Sequence, residues 1–257
     1  NKLVADFLRG KIADAVDDPE IAKKLMPYEY PVGTKRVCVG TDYYETYNRD
    51  NVSLIDMRSE KLQQIEKDGI RTDAGFYPVD VLIMATGYDA MTGALLAIDI
   101  TTSAGMSLRE EWGKGPETYM GYGIAGFPNL FAVTGPGSPS VFSNMVLSVE
   151  HDMDWISACI AHLKDRDYAS IEADPAAQAA WMEHVDAVAS QTLVNKAASW
   201  YRGANVEGKP QKFMPYVGGV NTYQQRCWEI ARNGYEGVLI NGKPEKSPAR
   251  EAEMENS

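Results

Sequence analysis

Cysteine is scarce in this chain of 257 residues, where Cys38, Cys159 and Cys227 lie far apart with no C-x-x-C pair. That scarcity excludes the spacing of a zinc site and a disulfide framework, and makes the reducing cytoplasm the expected compartment. Positive charge is also short: 25 Lys and Arg face 36 Asp and Glu, for a formal net charge of −11. Such a balance argues against nucleic acid or an anionic membrane surface as partner, so any phosphate-bearing ligand must be met by local cations. No apolar run approaches membrane-spanning length, and the stretch from Asn1 to Lys11 carries too many charges for a signal peptide. Histidine is limited to His151, His162 and His184, all in expected helices, and no G-x-S-x-G elbow is present, which leaves no basis for a serine hydrolase. His151 and Asp154 have i,i+3 spacing, but a single such pair reads as a solvated helix face, and no metal is expected. The absence of an initiator methionine suggests a processed chain or a piece of a longer one.

What is present centres on Asp80-Val81-Leu82-Ile83-Met84-Ala85-Thr86-Gly87-Tyr88-Asp89. Its apolar run is too short for a helix, lies between Pro78 and Gly87, and suits a strand buried on both faces of a parallel sheet. Small residues at its end let a backbone approach a cofactor beyond the carboxyl edge of the sheet. Upstream, Leu3, Phe7, Leu8, Ile12, Val16, Ile21 and Leu25 keep one helical face, with Pro19 dividing two helices. Lys35–Val39 and Val52–Met57 are strand candidates. Turns at Lys67-Asp68-Gly69 and Asp73-Ala74-Gly75 mark a β-meander. Asn129–Gly135 repeats the form of an apolar run closed by glycine. A long helix is expected from near Ser143, with Val149, Met153, Ile156, Ile160 and Leu163 as its buried stripe. Another starts at Asp174-Pro175, with Asp as N-cap and Pro in the first turn, and is expected to run to about Ser199. The charged segment 241–257 is expected to be disordered.

Gly121-Tyr122-Gly123-Ile124-Ala125-Gly126 matches a dinucleotide fingerprint by letter, but Phe127-Pro128-Asn129 blocks the helix that such a fingerprint requires. Lys35-Arg36 reads either as surface charge at a strand mouth or as a cation pair for an anionic ligand. Trp200 reads either as a hydrophobe closing a helix or as a ligand contact.

Taken together, these segments resemble one family. The segments are Lys35-Arg36, Tyr43-Tyr44-Glu45-Thr46-Tyr47-Asn48-Arg49-Asp50-Asn51-Val52, Asp80 to Ala90, Gly93-Ala94-Leu95-Leu96, Gly126 to Phe131, Gly135 to Ser140, Ser143-Asn144-Met145, and Trp200 with Gly203-Ala204-Asn205 and Gly208-Lys209. They resemble the C-terminal half of a type I Baeyer–Villiger monooxygenase of the cyclohexanone and phenylacetone monooxygenase group. The resemblance spans roughly residues 30 to 240. It implies an α/β fold: the C-terminal half of a flavoprotein with two dinucleotide-binding domains, Rossmann-like sheets, a β-meander and helical additions. Residues 1–52 would end the NADP-binding domain, and residues 53–240 would return to the FAD-binding domain with the substrate-pocket loops.

The same resemblance implies FAD and NADPH as cofactors, and a ketone and O2 as substrates. Flavin reduced by NADPH would form a C4a-peroxide that converts the ketone to an ester or lactone. Arg36 would be the catalytic arginine, stabilising developing oxyanions, and Lys35 the cation for the NADPH 2′-phosphate. Thr86 and Gly87 would lie beside FAD. Asn144 and Met145 would open a helix beside the flavin ring, and Trp200 would donate its indole N–H to the nicotinamide nucleotide. Val141, Phe142, Ser143, Met145 and Phe213 would line the ketone pocket. The family's two glycine fingerprints belong to its N-terminal half, so this chain would need that half or a longer parent, and would be inactive alone. The alternatives are a fragment of a flavin monooxygenase that oxidises nitrogen or sulfur, or a non-catalytic remnant serving as an interaction module.

Overall fold

The computed structural model describes residues 1–241 and 243–244. The expected disorder of the charged tail therefore falls almost wholly outside the described residues. The chain packs as two units, residues 1–87 and Tyr88 onward.

The first unit begins with α1 (Lys2–Ala15) and α2 (Pro19–Leu25), divided at Pro19 as the spacing predicts. The Asp18 carboxylate accepts from the backbone N–H of Glu20 at 2.8 Å and Ile21 at 3.3 Å, an N-cap that lets Pro19 occupy the first turn without losing a hydrogen bond. Ile12, Val16 and Ala22 form the buried seam between the helices, with Tyr44 against it. Asn48 fastens the tyrosine-rich segment to this pair: its Nδ2 donates to Ala15 O at 2.9 Å, and its Oδ1 accepts from Asp17 N at 3.0 Å. The expected meander follows as β1 (Leu62–Glu66), β2 (Gly69–Thr72) and β3 (Phe76–Pro78), all antiparallel. Gly69 is required within it, because a Cβ there would lie 2.2 Å from Tyr77 O.

The second unit contains two short helices, α3 (Gly93–Leu96) and α4 (Leu108–Glu111), then the long α5 (Met145–Asp165). After it come β4 (Ile171–Ala173), α6 (Pro175–Ser190), α7 (Val220–Arg232), β5 (Val238–Ile240) and β6 (Lys243–Pro244). Strands β4, β5 and β6 make a second antiparallel sheet. The main core gathers Tyr122, Trp155, Cys159, Trp181, Val185, Tyr201, Phe213, Tyr223 and Cys227. A smaller cluster of Leu108, Trp112, Ile124 and Phe127 lies under α3 and α4.

Several expectations are corrected. Lys35–Val39, Val52–Met57, Asp80–Asp89 and Asn129–Gly135 form no strand ladder among the described residues. A buried parallel strand exists through hydrogen bonds from neighbours on both sides, and neither observed sheet extends to these segments. Val81 and Ile83 are 76% and 81% exposed. The buried stripe of α5 is Ser148, Asp152, Trp155, Ile156, Cys159 and Leu163, whereas Val149, Met153 and Ile160 are exposed. The helix is thus rotated by about one residue from the purely apolar reading. Helix α6 ends at Ser190 rather than near Ser199. The Ser190 and Thr192 hydroxyls donate to Ala187 O at 2.6 Å and Ala189 O at 2.7 Å, taking up carbonyls of the last turn.

The start of α6 yields a direct test. Asp174 accepts from Ala176 N and Ala177 N, each at 2.9 Å. Asp174→Ala is expected to lower stability by about 1 kcal/mol in urea denaturation, with Asp174→Asn retaining most of it. Equal losses in both variants would show that the cap is not what the side chain contributes.

Candidate functional site

The predicted site residues fall into two groups, one in each unit. Lys35, Arg36, Thr86 and Gly87 belong to the first, and Val141, Phe142, Ser143, Asn144, Met145, Trp200 and Phe213 to the second.

In the first unit, Lys35 and Arg36 follow Thr34, which is fully buried and donates its hydroxyl to Pro31 O at 2.7 Å. That turn delivers both cations to the wall of a cavity of about 670 Å³. Lys11 adds a third cation to the wall, and Tyr30, Tyr43 and Tyr44 supply aromatic surface. The Lys35 ammonium sits 4.3 Å from the centre of the Tyr30 ring, a cation–π contact that orders an otherwise exposed side chain. The Tyr43 and Tyr47 hydroxyls lie 3.1 Å apart, and this hydrogen bond pushes the Tyr47 pKa up to about 12. Asp42 and Glu45 also line this wall, so its three cations outnumber its carboxylates by one, a local positive charge that a phosphate-bearing ligand would need on an acidic chain. Thr86 and Gly87 lie in exposed, unpaired backbone, with Gly87 at φ 87°.

In the second unit, Gly135 to Ser140 is held from several sides. Gly137 N donates to Met214 O at 2.6 Å, Tyr216 N to Ser138 O at 2.7 Å, and the Trp181 indole to Gly137 O at 3.2 Å. Gly137 has φ 86°, and a Cβ there would lie 2.9 Å from the Trp181 indole nitrogen. This loop fixes a 3-10 turn, Ser140–Phe142, and through it the start of α5. Asn144 caps that helix, its Oδ1 accepting from Val146 N at 3.0 Å and Leu147 N at 3.4 Å. A bound group would therefore meet Asn144 through Nδ2. Phe142, Met145, Val146 and Leu147 are exposed here and make an apolar shelf at the helix mouth. Ser143 is turned to internal partners, donating to Ser140 O at 2.7 Å and bonding the Ser148 hydroxyl.

Phe142 and Phe213 come together, with ring centroids 6.3 Å apart, and Tyr201 completes a triangle with them, 4.8 Å from Phe142 and 6.5 Å from Phe213. Trp200 lies 4.3 Å from Tyr201, continuing this aromatic chain. Phe213 is buried in the main core, and Val141 packs against the same core. Tyr201 was missed by sequence reasoning, and its adjacency to Trp200 was the available signal.

Also missed was a buried polar cluster behind α5. Asp152 is 1% exposed; its Oδ1 accepts from the Tyr122 hydroxyl at 3.0 Å and its Oδ2 from Thr134 N at 2.8 Å. Burial pushes its carboxyl pKa up, against the opposing pull of these two hydrogen bonds. The Cys227 thiol lies 3.6 Å from the Tyr122 hydroxyl and is pushed by burial up to about 12, which makes it an inert core group. His151 lies edge-on to Tyr223 and Trp228, and burial lowers its pKa.

No family model matches the chain. Individual relatives do. It is 40% identical over 245 residues to the 2-oxo-Δ3-4,5,5-trimethylcyclopentenylacetyl-CoA monooxygenase of Pseudomonas putida, covering 93% of this chain and 45% of that protein. It is 38% identical over 236 residues to the cyclohexanone 1,2-monooxygenase of Acinetobacter, covering 91% and 43%. The phenazine N-monooxygenase PhzNO1 of Lysobacter antibioticus is 35% identical over 245 residues, covering 95% and 44%. Among solved structures, an oxidised steroid monooxygenase bound to NADP superposes with TM-score 0.86 at 45% identity, covering 93% of this chain and 45% of that one. A crystal structure of OTEMO in complex with FAD and NADP gives TM-score 0.89 at 39% identity, covering 93% and 44%. By class, these matches are monooxygenases, among them flavoproteins that use a nicotinamide nucleotide. The chain belongs to the Baeyer–Villiger monooxygenases and aligns with their C-terminal half. It spans about 45% of the length of the curated relatives it matches.

The Asp152 cluster predicts a signed pH effect. A carboxyl whose pKa is raised by folding contributes stability at low pH that is lost as pH climbs through the folded value. Asp152→Asn abolishes that titration, so its stability relative to the parent chain should improve between pH 4.5 and pH 7.5 in urea denaturation. A difference that is flat across this interval, or moves the other way, would show that Asp152 is not a proton-holding group in the fold.

Proposed function

We propose that this chain is the C-terminal portion of an FAD- and NADPH-dependent monooxygenase that converts a ketone to an ester or lactone. The observation that carries this reading is alignment over more than nine-tenths of the chain with ketone monooxygenases, at 38% identity for the cyclohexanone enzyme. Residues up to 52 would close the NADP-binding domain, and 53–240 would contribute to the FAD-binding domain. The cytoplasm would be its compartment; among the described residues no helix is long and apolar enough to cross a membrane.

FAD, when bound, supplies the activation of O2 with electrons from NADPH. The protein's own part is to orient the reactants, exclude water and hold charge. Arg36 stabilises negative charge on the reacting oxygens through its planar guanidinium, whose several N–H donors can meet an oxyanion. Lys35, ordered over Tyr30, meets the 2′-phosphate that separates NADPH from NADH. Thr86 and Gly87 bring bare backbone beside the flavin, and Asn144 and Met145 present the α5 mouth to its ring. Trp200 contacts the nicotinamide nucleotide, while Val141, Phe142, Ser143, Met145 and Phe213 shape the ketone pocket. The glycine-rich phosphate loops would come from an N-terminal half. The exposure of Val81, Ile83 and Met84, at 76%, 81% and 63%, supports this need, because such a run is suited to strand partners. The chain alone would be inactive.

A second reading, oxidation of nitrogen, is favoured by the 35% identity to a phenazine N-monooxygenase.

Combining the chain with a complementary N-terminal half, FAD, NADPH, O2 and cyclohexanone should yield lactone by gas chromatography. A well-folded mixture that oxidises a phenazine but gives no lactone would favour the second reading, and one with neither product would overturn both. In the active mixture, Arg36→Ala should leave NADPH-driven flavin reduction within a few-fold of the parent while abolishing lactone. Undiminished lactone would remove Arg36 from the chemistry.

A further inference from the structure

The loop after Trp200 is tied down far from where it leaves the core. Ser199 O accepts from Arg202 N at 3.0 Å and Ala204 N at 3.1 Å, and Met214 N donates to Tyr201 O at 3.0 Å, which fixes the base of the loop. Its distal half reaches a different part of the second unit. The Lys209 ammonium pairs with the Asp89 carboxylate and donates to Ala90 O at 3.1 Å, and Asn205 Nδ2 donates to Tyr88 O at 2.8 Å. Lys209 is only 10% exposed, and its methylene stem runs beneath Gly203, where a Cβ would lie 2.9 Å from Lys209 Cδ. Gly203 has φ 76° and Gly208 φ 75°, so both bends that set the path of the loop take left-handed backbone.

Asp89 is itself held. Its backbone carbonyl accepts from Gly93 N at 3.1 Å, and a Cβ on Gly93 would lie 2.7 Å from the Asp89 Cβ. Beside the ion pair is a cavity of about 250 Å³, lined in part by Asp89, Trp112, Glu207 and Lys209. The base of the loop is also held by Trp200 against the main core and by Arg202, which donates to Asn195 Oδ1 and Gln211 O, whereas its distal half rests on one nearly buried cation and one amide beside open space.

We propose that Asp89 and Lys209 are positioning residues: their ion pair clips the 200–210 loop, and through it Trp200, onto the segment that follows Ala85-Thr86-Gly87. Asp89 follows Gly87, assigned above to the flavin, by two residues, and the clipped loop carries Trp200, assigned to the nicotinamide nucleotide. In that respect the inference rests on the proposed function. Loop residues held by few contacts open locally, so loss of the clip should free this loop without unfolding the unit.

Amide hydrogen exchange on the unmodified chain, without cofactor, tests the clip. Asp89→Asn and Lys209→Met, which keeps the stem, should each raise exchange over residues 199–209 by about tenfold while α5 and α6 stay protected. The reversed pair, Asp89→Lys with Lys209→Asp, should recover much of the protection. Unchanged loop exchange in the single variants, or a reversed pair no better than either, overturns the clip. So does loss of protection throughout α5 and α6, which would make the pair a general stabiliser. In the reconstituted enzyme, Lys209→Met should raise KM for NADPH several-fold with kcat changed less, and Lys209→Arg should restore it. An unchanged KM with a loosened loop overturns the positioning role alone. Failure of the unsubstituted mixture to make product would instead overturn the proposed function, leaving the exchange result to judge the clip.

Discussion

The second unit depends on a buried carboxylate. Asp152 takes one hydrogen bond from Tyr122 and one from the backbone of Thr134, and each partner comes from a different part of the chain. A charge or a polar proton inside an aromatic core is costly unless both oxygens are satisfied, so these bonds admit only one rotation of α5 about its axis. With that rotation set, Trp155 stacks on Tyr122 at 4.5 Å and its indole donates to Cys227 O at 2.9 Å, which docks α7. The same rotation leaves Val149, Met153 and Ile160 outward. One polar residue thus decides which apolar residues are core and which are surface.

Helix starts and turns were legible in the sequence because their signals are local. Pro19 and Pro175, each preceded by an aspartate, begin helices for reasons contained in three or four residues. The meander was legible in the same way from Lys67-Asp68-Gly69 and Asp73-Ala74-Gly75. Asp152 was not, because nothing beside it announces a tyrosine thirty residues away. An apolar stripe drawn through Val149, Met153 and Ile160 is a reasonable reading of composition, and it fails by about one residue of rotation. The strand expectations fail for another reason. Asp80–Asp89 has the composition of a buried parallel strand, and composition reports what a segment suits, whereas a ladder requires neighbours.

The candidate site shows the same division. Lys35 and Arg36 were singled out as cations in an acidic chain, and the fold gives them an aromatic-walled cavity. Phe142 and Phe213 were named among five pocket residues through family resemblance, and their rings lie 6.3 Å apart. Tyr201, which packs against Phe142, and the internal use of Ser143 follow from packing that no short motif encodes. Asn144 shows how one residue can serve both fold and site. Its oxygen closes the first turn of α5, and the amide nitrogen is what remains for a ligand.

Exposure and family membership bear on each other. The apolar residues at Val81, Ile83 and Met84, and those at the α5 mouth, would be a liability on a free surface, since contiguous apolar area favours association. Their places in the sequence are those which the resemblance assigns to a cofactor-binding sheet and to the flavin face. An apolar surface at Val81, Ile83 and Met84 and at the α5 mouth suits the covering segment and bound cofactor that the proposed function calls for.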